Sequence, residues 1–577
     1  MYRRSDLVLL AAMLGVLAGG PGALAQEPAE EPARELFLES VDVDVVELEV
    51  VVTDRQGHPV RGLTRDDFRV FEDGEPVELT NFYAVEGAKR VLPPDEAAAV
   101  GGDEAAAELP RSQLLNLAVT VDNANILPAN RKHVLDQLEL HLGKVVRPGD
   151  RVMVIGLDRT IHVEQSLTED LPAALAAIDR IGRSTAARID LIAQERMILR
   201  ALNTRDGLQE GGLPTPDTPE DAADRVRQMI ESYGVQADAR SRETFESIGR
   251  LIDAMAGLEG RNAVLYVSDG VSPRPGEALL EELTLAFSDV ATPGGIIAPS
   301  FDANRWDSSD LLRRVARKAA ADQVVFYSMD AKGVGGGATV ELAHLSSSPG
   351  TTASAGLAEK DAMMYLAAST GGDVMLNPSG VGKLVERIAS DYTDYYSLGY
   401  VSPKSEDGKY HRVEVRVPGR DGLRVRHTEG YQGKDSNQRM IERTLSALVF
   451  DVAHNPLDVR LELGNEQPEK RNQVVLPVLI RVPISKLVLI PQERIHQGKV
   501  TIYLAVQDAQ GRVVQPDPIE VPVDIPNDQL LQALSREIGH GLNLLLRQGE
   551  AKLAVGVRDE VAAIESTVNL NVSLGEG

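Results

Sequence analysis

Four aspartates stand at the ends of apolar segments, where their carboxylates could bind a metal ion or a partner. The residues are Asp122, Asp158, Asp269, which follows Ser268, and Asp330. In a parallel sheet the carboxyl ends of the strands share one edge, and ligands bind outside that edge. Two carboxylates that meet there repel each other unless a cation or a proton lies between them. Mg²⁺ accepts such carboxylates together with hydroxyls, amide oxygens and water. The pattern predicts a binding rim made by these four aspartates and Ser268.

Strands that alternate with helices between 111 and 435 would bring these aspartates to one edge. The apolar segments are continuous in Val, Ile and Leu, which is typical of strands in a mostly parallel sheet that is covered on both faces. A long polar helical insertion is predicted at about 187–258, and a β extension at about 395–432. The predicted fold class is therefore α/β. A central doubly wound, mostly parallel sheet, Rossmann-like in type, is flanked by a small N-terminal β domain and a C-terminal all-β domain.

The first residues have the pattern of an export signal. Arg3 and Arg4 precede a short apolar run, and Ala23-Leu24-Ala25 offers small residues for cleavage, so 1–25 is predicted to be a signal peptide. No later stretch has the roughly 18 uninterrupted apolar residues of a membrane span. We therefore expect an exported protein, periplasmic or extracellular, with no transmembrane segment once the signal is removed.

Composition and periodicity predict the segments on either side of the 111–435 region. An acidic, Pro-rich stretch at 26–35 is predicted to be a disordered tether, and 36–86 to be a small β domain, because polar and apolar residues alternate there. A linker rich in Ala, Glu, Gly and Pro is predicted at 87–110. A helix followed by strand patterns predicts a helix-plus-β domain at 436–577.

Charge and cysteine content exclude several functions. The formal net charge is -27, which disfavours binding to nucleic acid, whose phosphates need a basic surface. The chain has no cysteine, which excludes disulfides, thiolate catalysis and zinc–thiolate sites.

Several segments together resemble a von Willebrand factor A domain. They include LAVTVDNANILPANR, RPGDRVMVIGL, AVLYVSDG, QVVFYSMDAKG, LAASTGGDVMLN and DYTDYYSLGYVSP, and they are preceded by VVVTDRQGHPVRGLTRDDFRVFEDGEPVELTNF. The region from about 112 to 432 is similar to such a domain, and the whole chain resembles the exported VWFA-related proteins described mainly from acidobacteria. The resemblance implies protein binding, adhesion or assembly.

The resemblance also implies a metal-ion-dependent adhesion site, with the pattern D-x-S-x-S, a threonine and a second aspartate. Asp122 matches the first aspartate, Asp269 matches the last, and Thr185 is the best candidate for the threonine. Ala124 and Ile126 stand where the two serines should be, so the site is degenerate. The amide oxygens of two neighbouring residues could contribute to a Mg²⁺ site from shifted positions: Asn123 and Asn125.

The leading functional hypothesis is a non-catalytic module that binds another protein or a surface polymer through the rim. One alternative is a purely structural envelope scaffold without metal. The other is a metal-dependent hydrolase that uses the rim carboxylates, although the sequence supplies no nucleophile with an obvious base.

Overall fold

The computed structural model describes residues 45–91, 113–183, 189–204, 218–288, 304–332, 349–469 and 472–575. The predicted signal peptide, the predicted tether and most of the predicted linker lie outside these residues. The chain divides into two compact units, which we call the N-unit, Val46–Asp435, and the C-unit, which contains Ser436–Gly577. Within the described ranges, no helix combines the length and the apolar character needed to cross a membrane.

The α-helices of the N-unit alternate with strands for much of its length. They are α1 (Pro128–His141), α2 (Leu171–Gly182), α3 (Ile189–Thr204), α4 (Pro219–Met255), α5 (Glu277–Ala286), α6 (Ser309–Ala321), α7 (Pro349–Thr370) and α8 (Val381–Thr393). Its strands are β1 (Val45–Thr53), β2 (Arg69–Glu72), β3 (Glu75–Val77), β4 (Asn81–Glu86), β5 (Lys89–Val91), β6 (Leu115–Asp122), β7 (Arg151–Leu157), β8 (Ile161–Thr168), β9 (Arg261–Ser268), β10 (Val324–Asp330), β11 (Val374–Met375), β12 (Tyr395–Val401), β13 (Tyr410–Arg416), β14 (Arg424–Arg426) and β15 (Gly430–Gln432).

The C-unit begins with a helix and continues mainly as strands. Its helices are α9 (Ser436–Phe450) and the short α10 (Leu530–Ala533). Its strands are β16 (Arg460–Leu463), β17 (Gln467–Pro468), β18 (Gln473–Pro483), β19 (Ile490–Pro491), β20 (Ile495–Gln507), β21 (Val513–Val514), β22 (Ile519–Pro526), β23 (Glu537–Arg547), β24 (Gly549–Asp559) and β25 (Ile564–Leu574).

One sheet of the N-unit is mixed, with the strand order β11-β10-β9-β6-β7-β8. Neighbouring strands are parallel except for β8, which runs antiparallel to β7. Every residue of β6 and β9 is buried. Side chains of α1, α2 and α8 share one apolar core with these strands, so the uninterrupted Val, Leu and Ala content of the strands is matched by burial.

The predicted fold class, α/β built around a central doubly wound, mostly parallel sheet, is wrong for this chain. The described residues form five sheets, and only the one above contains parallel pairs. In the other four sheets, every pair with an assigned register is antiparallel. The chain is a mixed protein that is rich in antiparallel β structure. The prediction failed because strand–helix alternation is a local signal, and it does not indicate how the many remaining strands pair with one another.

Two antiparallel sheets connect the two ends of the N-unit. Their strand orders are β14-β1-β12-β4-β5 and β15-β13-β2-β3. Strands from the segment predicted as a small β domain (36–86) therefore pair with strands from the predicted β extension (395–432), as when Thr53 lies opposite Arg424. Buried residues from both segments form one core, so neither segment has a core of its own.

A helical layer covers part of the N-unit and has its own core. Buried side chains of α3, α4 and α5 surround Trp306, which is the only tryptophan of the chain and is 3% exposed. The 37-residue helix α4 begins with a capping box, in which Thr218 and Asp221 satisfy each other's backbone N–H groups. Pro219 at the first helical position fits the same start.

The Trp306 ring requires a glycine at position 234 of α4. A Cβ at Gly234 would lie 2.5 Å from an atom of the Trp306 ring, whereas a Cβ at Gly249 of the same helix would lie 3.8 Å from Val315. We expect Gly234→Ala to destabilise the N-unit by about 1–3 kcal/mol through overpacking. The matched variant Gly249→Ala should stabilise it by about 0.5–1 kcal/mol, the usual gain of alanine over glycine in a helix. Denaturant titration followed by Trp306 fluorescence measures both, and equal effects would contradict the assignment.

The C-unit packs two antiparallel sheets face to face. In one sheet β18 pairs with β23 along its whole length and with β16 and β17 on its other side. In the other sheet β20 pairs with β22 and β24, and β24 pairs with β25. Buried apolar residues of both sheets form one core. Helix α9 contributes Ala447 and Leu448, which pack against Ala505 and Ala554.

Candidate functional site

Asp122, the last residue of β6, is fully buried and accepts several hydrogen bonds. Its Oδ2 accepts hydrogen bonds from the hydroxyls of Tyr266 and Ser268, the latter at 2.9 Å. Its Oδ1 accepts hydrogen bonds from the backbone N of Asn125 at 3.1 Å and from the side-chain Nδ2 at 3.0 Å. Burial raises the pKa of Asp122, and the hydrogen bonds reverse only part of that rise. The carboxylate therefore acts as a buried acceptor that links β6, β9 and the turn after β6.

Helix α4 covers the loops around this carboxylate. Thr244 of α4 accepts a hydrogen bond from Asn125 Nδ2 at 2.8 Å, and Ser247 donates one to the backbone oxygen of Asp158 at 2.9 Å. Beside Asn125 a cavity of about 50 Å³ remains, between α3, α4 and the loop after β9.

Asp269 lies at the same end of the sheet, directly after β9, and is also buried. Its carboxylate accepts hydrogen bonds from Leu127 N at 2.9 Å and from Asn130 Nδ2 at 3.0 Å. Its own backbone N donates to Asn125 O at 3.1 Å. Leu127 and Asn130 belong to the first turn of α1, where a negative charge is favourable beside the helix N-terminus. Asp269 therefore holds the start of α1.

The other residues assigned to the metal site have different surroundings. Asn123 Oδ1 accepts a hydrogen bond from Nη1 of the buried Arg131 at 2.8 Å, so this amide oxygen faces a cation. Asn125 contacts Asp122 through its N–H groups, which are donors. Thr185 lies outside the described residues.

The residues assigned to the rim do not form one surface. Ser268 is buried and donates a hydrogen bond to Asp122, as described above. Asp330 is fully buried and forms an ion pair with Lys360 of α7, Nζ to Oδ2 at 3.0 Å. The side chain of Asp158 is 43% exposed and contacts His162. Among the residues proposed for the rim, the structure brings Asp122, Asp269 and Ser268 together and gives Asp158 and Asp330 separate partners.

These contacts do not fit a bound Mg²⁺ ion. Magnesium needs lone pairs directed at one point in a near-octahedral arrangement. Both oxygens of Asp122 instead accept hydrogen bonds, and Asp269 accepts two donors from the start of α1. The buried apolar side chain of Ile126 stands at a position where an adhesion-site motif would have a hydroxyl. A metal ion at this place would have to compete with these donors for the carboxylate oxygens.

Magnesium is therefore expected to leave the stability of the N-unit unchanged. A ligand present at 100 times its Kd stabilises a protein by about 2.7 kcal/mol. We expect less than about 0.5 kcal/mol of difference between millimolar MgCl₂ and a chelator, which is within the scatter of surface effects. Denaturant titration with Trp306 fluorescence measures the difference, with NaCl at matched ionic strength as the control. Stabilisation by Mg²⁺ but not by NaCl would revive the metal site.

A histidine, an aspartate and a hydroxyl meet at the exposed part of this edge, but not as a catalytic relay. His162 Nε2 lies 3.0 Å from Thr160 Oγ1 and 3.1 Å from Asp158 Oδ2. In a relay the carboxylate holds one ring nitrogen while the other accepts the proton of the nucleophile. Here one nitrogen faces both groups, so the histidine cannot pass a proton between them.

The C-unit offers a different feature, which the sequence did not single out. Strand β23 pairs with β18 over 11 residues, and no strand in the described part of the chain pairs with its other edge. It contains no proline, and charged side chains stand only at its ends, at Glu537 and Arg547. Strands β22 and β25 are protected, because β22 contains Pro522 and Pro526, and β25 is bridged by the backbone of His454. Long edge strands without such protection pair readily with another chain.

A furrow of about 340 Å³ lies on the outer face of this sheet, across β18 between β16 and β23. It exists because Gly541 of β23 stands opposite Leu479 of β18 and adds no side chain, so the apolar surfaces of Leu479 and Pro477 remain open. The other residues of the furrow come from β16, the turn after it and the same two paired strands: Glu462, Leu463, Gly464, Val478, Leu542 and Asn543. The alternation in EIGHGLNLLLR predicts a strand, but only the pairing reveals that it is an edge.

No protein-family model matches the chain, and a search of curated proteins finds no match. Solved structures with detectable similarity include three N-terminal domains of the type V pilus tip protein Mfa5 from Porphyromonas gingivalis, at 9% identity. That comparison covers 80% of this chain and 72% of the other, with a TM-score of 0.24. The pilus adhesin SpaC from Lactobacillus rhamnosus GG is 8% identical over 89% of this chain and 60% of its own, with a TM-score of 0.20. Proximal thread matrix protein 1 from the mussel byssus is 11% identical over 50% of this chain and 48% of its own, with a TM-score of 0.20. TM-scores this low establish neither a fold nor a function for this chain.

Proposed function

We propose that this chain is a non-catalytic binding module, exported from the cell, that holds an extended segment of another protein along β23 in adhesion or assembly. The observation that carries the proposal is the edge of β23 with which no strand of the described residues pairs, together with the open furrow on the same sheet, in which Pro477 and Leu479 are accessible. Export rests on the signal pattern of residues 1–25, and membership of the von Willebrand factor A family rests on the motifs quoted above. A rim site at Asp122 and Asp269 is disfavoured, because both carboxylates are buried and accept hydrogen bonds from neighbouring groups of the fold.

Strand addition suits the chemistry of this edge. An unpaired strand offers backbone N–H and C=O groups in the spacing that an extended peptide needs, and pockets beside the edge select alternate side chains of that peptide. An added strand would place every second side chain on the outer face, next to Gly539 and Gly541. The furrow would then accept one large apolar side chain, in contact with Pro477 and Leu479.

A non-catalytic role agrees with the titratable groups near the mixed sheet. Asp122 and Asp269 serve as acceptors for neighbouring donors, Asp330 is paired with Lys360, and His162 lacks a relay geometry. These contacts explain the groups as parts of the fold without assigning them to a reaction.

The test is a substitution that fills the furrow without disturbing the fold. A Cβ at Gly541 would meet no atom within 4 Å. We therefore expect Gly541→Lys to fold normally and to lose at least about tenfold in affinity, because a charge on the edge strand blocks pairing. The probe is a displayed library of ten-residue peptides, selected against the wild-type chain and then measured as free peptides.

Ser573→Lys is the matched control, since it adds the same charge at an exposed position of β25. The proposal requires that selected peptides alternate apolar with polar residues and bind Ser573→Lys as tightly as the wild type. It also requires that they slow amide hydrogen exchange in β23. Peptides that bind both lysine variants equally, or a library that yields no binder, would overturn it.

A further inference from the structure

A buried histidine of the N-unit lies between two carboxylates that belong to different segments. The side chain of His411, on β13, is only 7% exposed. Its Nδ1 lies 2.9 Å from Oδ2 of Asp73, which is in the turn between β2 and β3. Its Nε2 lies 3.0 Å from Oδ1 of Asp407, which is in the loop of residues 402–409 between β12 and β13. The imidazole therefore connects this segment, which we call the β12–β13 loop, to the β2–β3 turn.

The two contacts fix the protonation state of the His411 ring. An ionised carboxylate only accepts hydrogen bonds, so each ring nitrogen must donate one, and a ring with two N–H groups is an imidazolium. In the neutral ring one nitrogen carries a lone pair, which would face a carboxylate oxygen and be repelled by it. Loss of the proton therefore breaks one of the two contacts.

The two carboxylates favour the protonated ring. Burial lowers the pKa of His411, but the hydrogen bonds to Asp407 and Asp73, together with their charges, outweigh it and hold the pKa above 6.5. In return, the hydrogen bond from His411 lowers the pKa of Asp73 and that of Asp407 below 3.8. Because the pKa of the histidine is raised on folding, the stabilisation by these contacts is complete below its ordinary pKa. It is lost as the pH rises through the higher pKa of the folded protein.

Neighbouring groups keep their charge in the same range of pH. Burial raises the pKa of Glu72, but hydrogen bonds from hydroxyl groups, among them that of Tyr431, outweigh it and hold the pKa below 4.5. The hydrogen bond to Asp73 raises the pKa of Lys404, whose Nζ lies 2.8 Å from Asp73 Oδ2, above 10.5. Burial raises the pKa of Tyr431, whose ring centre lies 5.4 Å from that of His411, above 10.0. His411 is therefore the member of this cluster that titrates between about pH 5 and about pH 9.

Asp73 is held more firmly than Asp407. The backbone N of Asp73 donates to Arg412 O at 2.8 Å, and its Oδ1 accepts from Arg412 N at 3.0 Å, so the turn is tied to β13 without the histidine. Asp407 lies in the exposed part of the β12–β13 loop, and its Oδ1 accepts from Lys409 N at 2.8 Å, which is a contact within the loop. A neutral ring therefore keeps its Nδ1–H on Asp73 and loses Asp407.

We propose that His411 is a pH-dependent latch for the β12–β13 loop. The protonated ring holds Asp407 against the β2–β3 turn, and the neutral ring releases it. The two ends of the loop stay in place, because Ser402 donates to Glu72 at 2.8 Å and Lys409 O accepts from a backbone N–H of the segment after β15 at 3.0 Å. The movement is therefore confined to residues 403–408. The inference does not depend on strand addition at β23, which lies in the other unit.

Hydrogen exchange of the full chain, measured by mass spectrometry from about pH 5 to about pH 9, tests the latch. Rates in peptides that cover 403–408 are corrected with an unstructured peptide of the same sequence, which reports the intrinsic effect of pH. In the wild type we expect protection of this segment to fall about tenfold as the pH rises, the loss expected for one hydrogen bond to a charged group. NMR of ¹³C-labelled histidine rings follows the titration of His411, and its midpoint should coincide with the loss of protection.

Two variants separate a latch from a histidine that only fills space. In Asp407→Asn the amide can donate to the neutral ring nitrogen and accept from the protonated one, so protection should keep its low-pH level throughout. In His411→Gln the amide can donate to one carboxylate but not to both, so protection should stay low throughout. Asp421→Asn is the matched control, since it removes the same charge from the exposed turn between β13 and β14 and should follow the wild type.

Circular dichroism and Trp306 fluorescence establish that each variant is folded. Asp407 is exposed, so its variant keeps the test valid if His411→Gln proves unstable. Three results would overturn the proposal. They are protection that does not change with pH in the wild type, an Asp407→Asn variant that loses protection as the wild type does, and a midpoint of His411 below 6.5.

Discussion

Replacing Arg426 by methionine is expected to lower the free energy of unfolding of the N-unit by about 3–5 kcal/mol. The side chain is 7% exposed, and its Nη2 lies 2.5 Å from Oδ1 of Asp391. Its Nη1 donates to the backbone oxygens of Gly371 and Gly372, both at 3.2 Å. Tyr327 also donates to Asp391, at 2.9 Å. With methionine, the buried carboxylate of Asp391 would keep the hydroxyl of Tyr327 as a donor but lose the guanidinium. The two backbone oxygens would also lose their hydrogen bonds from position 426.

Denaturant titration followed by Trp306 fluorescence and circular dichroism measures this loss. Arg420→Met is the matched control, because Arg420 forms an ion pair with Asp67 at 3.2 Å but is 47% exposed. Exposed pairs contribute about 0–1 kcal/mol, so the control should lose no more than that. The double variant Arg426→Met with Asp391→Leu should recover part of the loss, since it removes the stranded charge. Equal losses in Arg426→Met and Arg420→Met would refute the importance of burial here.

Asp122→Ala is the second variant with a large expected effect, a loss of about 3–5 kcal/mol, because several buried donors lose their shared acceptor. The substitution removes the acceptor of the hydroxyls of Tyr266 and Ser268 and of the amide of Asn125. Each buried donor left without a partner costs about 1–3 kcal/mol, and part of this is recovered when hydroxyls rotate to other acceptors. Unfolding followed by Trp306 fluorescence is the measurement.

Asp158→Ala provides the control for Asp122→Ala. Its carboxylate also ends a strand of the mixed sheet, but the side chain is 43% exposed, so the change should cost less than about 1 kcal/mol. The roles of the two residues would need revision if the losses were similar. A loss in Asp122→Ala that appeared only in the presence of Mg²⁺ would instead identify Asp122 as a metal ligand.

Local features of the fold could be predicted from the sequence where one segment carries the whole signal. The apolar run LLNLAVTVD predicts a buried strand, and β6 occupies Leu115–Asp122. The Thr-Pro-Glu-Asp start of α4 has the residue types of a capping box. The sequence does not predict which distant segments pair with each other. Nothing in the sequence around Thr53 indicates that its partner is Arg424, because an alternating strand pattern is compatible with many edges.

The sequence also does not predict which residues surround the proposed site. Strand ends predict that Asp122 and Asp269 lie near one edge, but not what covers that edge. Thr244 and Tyr266 reach Asn125 and Asp122 because α4 crosses the loops and β9 neighbours β6, and both facts are tertiary.

The pairing of β1 with β14 can form only late in the synthesis of the protein. Ribosomes extend a chain by about 5–20 residues per second, so the 371 positions between residues 53 and 424 require about 20–75 s. During that time β1, with its row of valines, lacks both of its sheet neighbours, because β12 also comes late in the chain. The apolar side chains and the unpaired edges of β1 therefore stay available to other chains for most of synthesis, and a chaperone that covers them would limit aggregation.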